Sequence, residues 1–513
     1  MALKPAGKIL IAAIFVGGLA AGYLKFKDQI LPQGKGAGSV SGMMSGGTAA
    51  LSSDECIKVG VNTWGGFAGL QYMNGGAKPS ADSRLVKEFG VCAEFVVLDD
   101  INVSRETWKA GKVDLLWGTI DAFPTEVAGM EAQKPIALLQ VDWSRGGDAI
   151  VVRRGINSAA DLKGKTIAVA EMSPSHTFLL WMLDAAGLSP SDVKLSLVGS
   201  GIDAAAQFKA GSVDAAVVWS PDDQDCITAQ SGSKVLTNTK QATNIIADVM
   251  YVKQEFLKNN NAKLVKLVQG WMVGNAELNA DASKRTAGAK VMAEIYGQPV
   301  DFCQIAVDNV RFATYGDNKD FFGMTAGFRG IKGEDLYNKM TAVYKALGKA
   351  DGKIPNWRLI TDVAFVEAVG AGVDGKPGQE SERAATFEKA TVQQQAAPAI
   401  ASKPVTISFA SGSATLDENA KYIVDEKLVD LAKAFPTNRI RLEGNTDAVG
   451  SRATNVSLSR ARAQALATYL AKEHGFDANR FVVVGNGPDK PLCSDGSSEC
   501  NSRNRRTEFQ ILE

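Results

Sequence analysis

The stretch Arg441–Arg462, RLEGNTDAVGSRATNVSLSRAR, decides the C-terminal fold. It predicts a short strand over 439–443, a turn that ends at Asp447, and a helix that starts near Ser457. This order puts the Asp447 carboxylate at a strand end and the Arg462 guanidinium on the next helix. Together they can hold a zwitterion, because the carboxylate accepts an ammonium and the guanidinium grips a carboxylate. The alternative is an internal Asp–Arg pair on an exposed loop.

Several spaced motifs surround this stretch and resemble those of the OmpA-like peptidoglycan-binding domains. The matching residues are Phe409, Ser413-Ala414, Leu416, Thr446-Asp447, Gly450-Ser451, Asn455, Leu458-Ser459, Arg462-Ala463 and Asn504-Arg505-Arg506-Thr507-Glu508. The resemblance covers about 404–513 and implies an α+β domain. It also implies that Asp447 and Arg462 grip the diaminopimelate of a peptidoglycan stem peptide, with Thr446, Asn455 and Leu458 in the same site. The rest of the chain is then expected in the periplasm of a diderm bacterium.

Length and charge constrain the remainder. A chain of 513 residues is too long for one core and indicates about three domains. Its 56 basic and 56 acidic residues balance, so the sequence has no excess of positive charge that would favour binding to nucleic acid. With two His and no C-x-x-C motif, no metal site is predicted.

Six cysteines in an exported protein favour three disulfides. Cys493 and Cys500 would close a small loop before the last strand. Cys56 and Cys92 each precede an apolar run typical of a strand, so they could join neighbouring parallel strands. By elimination, Cys226 and Cys303 are expected to form the third pair.

The N-terminal segment, 1–30, contains an apolar run, Ile9–Leu24, between lysines. As a helix the run would span about 24 Å, which flanking lysines can extend toward the roughly 30 Å of a hydrocarbon core. It is either a cleaved signal peptide or an uncleaved transmembrane anchor, and both export the remainder. We favour the anchor. Residues 31–54 are rich in Gly, Ser and Met and are predicted to be a flexible linker.

Residues 55–370 alternate between strand-like and helix-like segments. The predicted strands are 57–61, 94–98, 113–117, 137–142, 166–170, 193–198 and 213–219. This alternation indicates parallel sheets that bind ligands at the carboxyl ends of their strands. We expect one lobe over 55–140 and 247–370 and a second over 141–246. Residues 371–403 are rich in Gly, Gln, Ala and Pro and are predicted to be a second linker.

The two-lobed plan resembles the type II periplasmic substrate-binding proteins. It is most similar to the branch that serves nitrate, sulfonate, taurine and thiamine-precursor uptake (the NMT1/SsuA-like group). The residues that carry the resemblance are Ile57-Lys58-Val59-Gly60, Trp64, Gly111-Lys112-Val113-Asp114, Ser144, Gly147-Asp148, Asp161-Leu162-Lys163-Gly164-Lys165, Ser175-His176, Ala210-Gly211-Ser212-Val213-Asp214, Trp219 and Pro221. The resemblance implies hinge closure on a small ligand.

Strand ends and helix starts should line the cleft between the lobes. The predicted ligand-binding residues are Trp64, Gly65, Gly66, Trp117, Gly118, Thr119, Arg145, Ser173, Ser175, His176, Trp219 and Asp222. Glycines and helix N-termini favour anions, and Arg145 adds a fixed cation, so a small anionic ligand is expected. Alternatively, Trp117 and Trp219 belong to the core, Arg145 pairs with Asp142 or Asp148, and Asp222 lies in a solvated turn.

The sequence contains no G-x-S-x-G, no P-loop and no His-metal spacing, so it predicts a binding protein without cofactor rather than an enzyme. One relative in this fold group makes a thiamine precursor with an active-site His, which keeps an enzymatic alternative open at His176. The leading hypothesis is an inner-membrane-tethered periplasmic solute-binding protein that is attached to peptidoglycan and passes its ligand to an ABC permease. The alternative is a structural or sensory envelope protein whose binding fold recognises a partner protein.

Overall fold

The computed structural model describes residues 55–407, 409–410 and 412–513. Within them, no helix is both long and apolar enough to cross a bilayer. The apolar run Ile9–Leu24 and the linker over 31–54 lie outside the described residues.

The strands form three sheets. In chain order they are β1 (Ile57–Val61), β2 (Ala93–Val97), β3 (Leu115–Thr119), β4 (Pro135–Ser144), β5 (Asp148–Val152), β6 (Thr166–Ala170), β7 (Lys194–Val198), β8 (Ala215–Trp219), β9 (Lys234–Asn238), β10 (Ala247–Lys253), β11 (Val310–Phe312), β12 (Ala399–Val405), β13 (Ile440–Asn445), β14 (Phe481–Gly487) and β15 (Thr507–Leu512). The strand order is β11-β4-β10-β3-β1-β2 across the first sheet, β7-β6-β8-β5-β9 across the second and β12-β15-β13-β14 across the third.

Helices cover the sheets. They are α1 (Ala68–Asn74), α2 (Arg84–Phe89), α3 (Ile101–Lys109), α4 (Pro174–Ala185), α5 (Gly201–Lys209), α6 (Asp222–Ala229), α7 (Gln254–Ala280), α8 (Ala282–Tyr296), α9 (Val300–Asp308), α10 (Tyr315–Phe321), α11 (Gly333–Ala346), α12 (Val363–Val373), α13 (Val392–Gln395), α14 (Glu418–Val424), α15 (Asp430–Ala434), α16 (Arg452–His474) and α17 (Ser498–Asn504). A π-helical turn, Asp425–Val429, joins α14 to α15.

The first two sheets are the cores of two lobes, and the chain passes between them twice. It leaves the first sheet at the end of β4 and returns to it at the start of β10. These two strands are neighbours and run antiparallel. Every residue of β4 is buried, which explains why most of its side chains are apolar. The two connections between the lobes therefore lie side by side in the most buried part of the first sheet.

The third sheet forms the C-terminal domain. Strands β13 and β14 pair in parallel, and β15 runs antiparallel between β13 and β12. Helix α16 begins at Arg452, earlier than the sequence predicts, because the Ser451 side chain caps it by accepting from the Thr454 N–H. The helix packs on β13 and β14. It ends at Gly475, which adopts a left-handed conformation with φ of 71°.

The segment between α12 and β12 lies against the first lobe. Gln379 is buried, and its amide donates to the Met272 carbonyl oxygen at 2.9 Å. The Thr314 hydroxyl donates to the Glu380 carbonyl oxygen at 2.8 Å. These contacts hold the start of the predicted second linker on the surface of the first lobe.

The C-terminal domain also contacts the lobes. Lys403 of β12 forms an ion pair at 2.6 Å with Asp184 of α4, in the second lobe. On the first-lobe side, Arg329 donates to the Glu473 carbonyl oxygen at 3.1 Å. Beside these contacts lies a cavity of about 560 Å³. It is lined by residues of the first lobe, the connecting segment and the C-terminal domain, including Trp143, Phe328, Phe387 and Phe476.

Two of the three expected disulfides are confirmed. Cys56 is bonded to Cys92, and Cys493 is bonded to Cys500. The third expectation is wrong, because Cys226 and Cys303 are free thiols. Cys226 is buried in the core of the second lobe and Cys303 in a separate cluster of the first lobe. Elimination failed because it took no account of which lobe holds each cysteine.

Alkylation of the unfolded, unreduced protein should therefore modify Cys226 and Cys303 and no other cysteine. Peptide mapping by mass spectrometry measures this, and reduction before alkylation should add the remaining four sites to give all six. A Cys226–Cys303 cross-link, or an alkylated Cys56 in the unreduced sample, would contradict the assignment.

Candidate functional site

The predicted C-terminal residues come together at the loop between β13 and α16. Thr446 is buried, and its hydroxyl donates to the Asp447 carbonyl oxygen at 2.8 Å. The buried amide of Asn455 donates to the Val449 carbonyl oxygen at 2.9 Å. Leu458 is half-buried on the same helix. Thr446 and Asn455 therefore fix the backbone of the loop that presents Asp447.

The partner of Asp447 is Arg505 rather than Arg462. Arg505 forms an ion pair with the Asp447 carboxylate at 2.6 Å. The Arg462 guanidinium donates to the Ser413 carbonyl oxygen at 3.0 Å and lies 4.9 Å from the centre of the Phe409 ring. Burial lowers the pKa of Arg462 and the nearby Arg505 charge lowers it further, while Asp447 raises it. One carboxylate and two guanidinium groups thus share this site.

In the first lobe, Trp64 follows β1 and faces the junction between the lobes. Its indole N–H donates to Oδ2 of Asp142 at 3.2 Å. Gly66 and Gly147 make this arrangement possible, because neither site has room for a Cβ atom. A Cβ atom would lie 1.6 Å from Asp142 Oδ2 at Gly66 and 2.3 Å from the Trp64 ring at Gly147. Gly65 cannot be replaced by a larger residue without a clash, because an added Cβ atom would lie 2.2 Å from the Ala306 carbonyl oxygen.

In the second lobe, two of the predicted residues, Ser175 and Trp219, converge on Asp148. The buried Ser175 hydroxyl donates to Asp148 Oδ1 at 2.5 Å and accepts from the Trp219 indole N–H at 2.8 Å. Trp219 is 36% exposed, so it belongs to the surface of the lobe rather than to its core. Ser173 caps α4 by accepting from the His176 N–H at 3.4 Å. The start of α4 therefore presents a hydroxyl–carboxylate–indole group.

His176 lies behind this group and is almost completely buried. Its Nδ1 accepts from the Met172 N–H at 3.2 Å, and its Nε2 has no hydrogen-bond partner. Burial lowers the pKa of His176 to about 4, so the ring is neutral near pH 7. Its ring packs edge-on against Tyr344, with the centroids 5.8 Å apart.

Four of the predicted cleft residues lie in other environments. The Trp117 indole N–H donates to the Leu98 carbonyl oxygen at 2.9 Å, under the Arg105 guanidinium. Gly118 packs against the Tyr251 ring. Arg145 pairs with neither Asp142 nor Asp148. It binds both carboxylate oxygens of Glu382 at 2.7 and 2.5 Å. Asp222 lies in the first turn of α6 beside two further aspartates.

The sequence analysis missed a group of buried carboxylates between the lobes. Asp121, Asp142, Asp148 and Asp248 are at most 6% exposed. Both carboxylate oxygens of Asp121 and Oδ1 of Asp142 have no hydrogen-bond partner. Each aspartate flanks or interrupts an apolar strand, and this position could have indicated a buried carboxylate. The signal was overlooked because an acidic residue at a strand end is usually solvated.

Burial raises the pKa of each of these carboxyl groups. The pKa of Asp121 rises to about 7 and that of Asp148 to about 6, against an ordinary value of 3.8. The pKa values of Asp142 and Asp248 also rise, and the negative charge of Asp142 contributes to the shift at Asp248. This region therefore carries protons at a pH where an exposed aspartate would be ionised.

Comparison with known protein families identifies both regions. The model of the NMT1/THI5 like family matches residues 104–281, and the model of the OmpA family matches residues 408–505. The chain joins an NMT1/THI5-like region to an OmpA-family domain. The first region runs from within α3 to the end of α7 and so includes the whole second lobe.

Individual relatives resemble one region each. The taurine-binding periplasmic protein of Escherichia coli K12 is 31% identical over 186 residues, which are 35% of this chain and 55% of that protein. The peptidoglycan-binding protein ArfA of Mycobacterium bovis is 33% identical over 105 residues, which are 20% of this chain and 32% of that protein. The chain thus spans less than two thirds of either relative. The sulphonate-binding protein SsuA of Escherichia coli aligns with a TM-score of 0.47 and 18% identity, over 66% of this chain and 97% of SsuA.

The buried carboxyl groups make stability depend on pH. Because its folded-state pKa is raised, Asp121 contributes stability that is complete below about pH 4 and is lost as the pH rises through about 7. The free energy of unfolding should fall between pH 5 and pH 8, and Asp121→Asn should reduce that fall by on the order of 1–4 kcal/mol.

Urea denaturation at both pH values measures this difference, with Asp351→Asn as the control because Asp351 is fully exposed. An unchanged pH dependence in Asp121→Asn would show that Asp121 ionises normally in the folded protein.

Proposed function

We propose that this protein is a solute-binding protein of the bacterial cell envelope that is fixed to peptidoglycan by its C-terminal domain. The lobes would close on a small ligand by a hinge motion and release it unchanged. The C-terminal domain would hold the molecule at the wall. In this proposal the two activities belong to separate sites of one chain.

The observation that carries the wall-binding half is the group formed by Asp447, Arg462 and Arg505. Its ion pair is accessible, since the Arg505 side chain is 47% exposed. A diaminopimelate end bears one ammonium and one carboxylate, which suit Asp447 and an arginine respectively. The ligand ammonium would then replace Arg505 on Asp447, and the freed guanidinium would join Arg462 at the ligand carboxylate. The name of the ArfA relative agrees with this assignment.

The arrangement of the two lobes supports the solute-binding half. The Trp64 and Trp219 indoles, the Ser175 hydroxyl and two aspartates meet where the lobes face each other. Aromatic walls with a few placed polar groups are typical of small-molecule sites. The name of the taurine-binding periplasmic relative agrees with this half of the proposal.

The rest of the proposal concerns location. Residues 1–30 would anchor the chain in the inner membrane through Ile9–Leu24, with the remainder in the periplasm. An ABC permease would receive the ligand.

A second candidate is a sensory envelope protein, and the domain contacts favour it. Lys403 of β12 pairs with Asp184, and Glu382 of the connecting segment pairs with Arg145, beside the first crossing between the lobes. A carrier that delivers its ligand to a permease gains nothing from such contacts. A sensor would use them to pass the state of the lobes to the wall-bound domain.

Asp447→Ala and Arg462→Ala should each weaken binding to purified diaminopimelate-containing sacculi by about 10- to 100-fold. Each removes a hydrogen bond to a charged group, worth about 1.5–3 kcal/mol. Co-sedimentation of the full chain measures the loss, and free diaminopimelate should compete with the wild-type protein.

Arg460→Ala provides the matched control, because Arg460 is exposed on the same helix. It should bind sacculi normally, and all three variants should keep the thermal unfolding profile of the parent. Undiminished binding by a folded Asp447→Ala variant would refute the wall-binding assignment.

A further inference from the structure

The register of the first sheet places three polar residues in one row. Asp248 of β10 lies opposite Thr119 of β3 on one side and opposite Asp142 of β4 on the other. Directly opposed residues point to the same face, with Cβ atoms about 4.5–5.5 Å apart. The row lies at the carboxyl end of β3, where α/β sheets bind their ligands. Its position follows from backbone pairing alone.

Several atoms of this row lack partners. The Thr119 side chain is 5% exposed, and its hydroxyl makes no hydrogen bond of normal geometry, although it lies close enough to Asp121 to lower the pKa of that carboxyl. Oδ2 of Asp142 accepts from Trp64, while Oδ1 accepts from nothing. Asp121, two residues beyond Thr119, has no partner for either oxygen. Buried polar atoms normally find partners, so an unsatisfied hydroxyl and three unsatisfied carboxylate oxygens indicate a missing donor.

The second lobe extends the acidic surface. Asp148 lies opposite Trp219 at the edge of the second sheet and holds the Ser175 hydroxyl. Asp121 and Asp148 are close enough to Asp248 for their negative charges to raise its pKa. Both lobes therefore direct carboxylates toward the same junction.

No positive group compensates these charges. Among the described residues, no Lys or Arg forms an ion pair with Asp121, Asp142, Asp148 or Asp248. Arg145, the nearest cation along the chain, binds Glu382 instead. An ionised buried carboxylate without a partner is costly, so these four groups need either protons or a cation.

We infer that the junction between the lobes binds a small molecule with an ammonium group, which donates to the carboxylates of Asp121, Asp142 and Asp248 beside the Thr119 hydroxyl. The inference rests on the proposed solute-binding function and names its substrate class. An ammonium supplies three donors and a full positive charge. The Trp64 indole beside Asp142 adds apolar surface next to the same carboxylates.

This assignment replaces the anionic ligand predicted from the sequence. That prediction rested on glycines, helix N-termini and Arg145, and of these the one full positive charge, Arg145, is held by Glu382. A metal ion is a poorer occupant, because the described residues include no group of three or more ligands with metal-binding geometry. An organic ammonium requires only acceptors within hydrogen-bond distance and an apolar wall.

The test is a thermal-shift measurement on the full chain with probes matched in size. Ethylammonium, putrescine and taurine carry an ammonium, whereas ethanesulfonate has the taurine skeleton without it. We expect at least one ammonium probe to raise Tm by about 3–4 °C at a hundred times its Kd. Ethanesulfonate and sodium chloride at equal ionic strength should leave Tm unchanged.

Two variants distinguish a binding role from a structural one. Asp121→Asn and Asp142→Asn should each abolish the ammonium-induced shift, and Asp121→Asn should raise the Tm of the ligand-free protein at pH 8. A structural aspartate would instead lower Tm on substitution. Asp351→Asn, in which an exposed aspartate changes, should keep both the Tm and the shift.

Stabilisation by ethanesulfonate but not by any ammonium probe would overturn the inference and leave the solute-binding proposal standing. If no probe raises Tm, the result would count against the ammonium site and against solute binding by the lobes. It would not affect the proposed binding of the C-terminal domain to sacculi. An ammonium shift that persists in Asp121→Asn and Asp142→Asn would place the cation elsewhere and overturn the inference.

Discussion

The pairing of Asp142 with Asp248 constrains the whole two-lobed region. These residues face each other on β4 and β10, the strands through which the chain leaves the first lobe and returns to it. Two buried carboxyl groups at this distance cannot both ionise without a compensating charge. Either a proton or a cation must therefore be present when the lobes are together. Trp64 packs between this pair and the first crossing, because it donates to Asp142 and its ring lies against Gly147.

The connecting segment links this junction to the C-terminal domain. Glu382 holds Arg145, which lies between β4 and β5 at the first crossing. Farther along, Lys403 in the first strand of the C-terminal domain pairs with Asp184 at the end of α4. The other end of α4 carries Ser175, which holds Asp148. Helix α4 thus connects a contact of the C-terminal domain to one wall of the proposed ligand site.

The sequence predicted most of what depends on local pattern. The apolar runs of β1, β3 and β8, the alternation with helices, and the motif around Asp447 and Arg462 were readable because neighbouring residues determine them. The start of α16 was predicted late, because the capping role of Ser451 was not recognised.

What the sequence could not predict depends on distant residues that meet only in the fold. Arg505 is 58 residues from Asp447, and Glu382 is 237 residues from Arg145. Cys226 and Cys303 were matched by elimination, although the lobes separate them. The row of Thr119, Asp248 and Asp142 requires the order of three strands, which no local pattern gives.

The most direct test of the account is a carboxyl-carbon NMR titration of the full chain labelled with 13C-aspartate. Signals that disappear in Asp121→Asn, Asp142→Asn and Asp248→Asn assign the junction. The account predicts that the Asp121 signal titrates near pH 7 and moves to a lower pH when putrescine is added, because the cation stabilises the ionised form. Titration of all three near pH 4, with no response to putrescine, would contradict it.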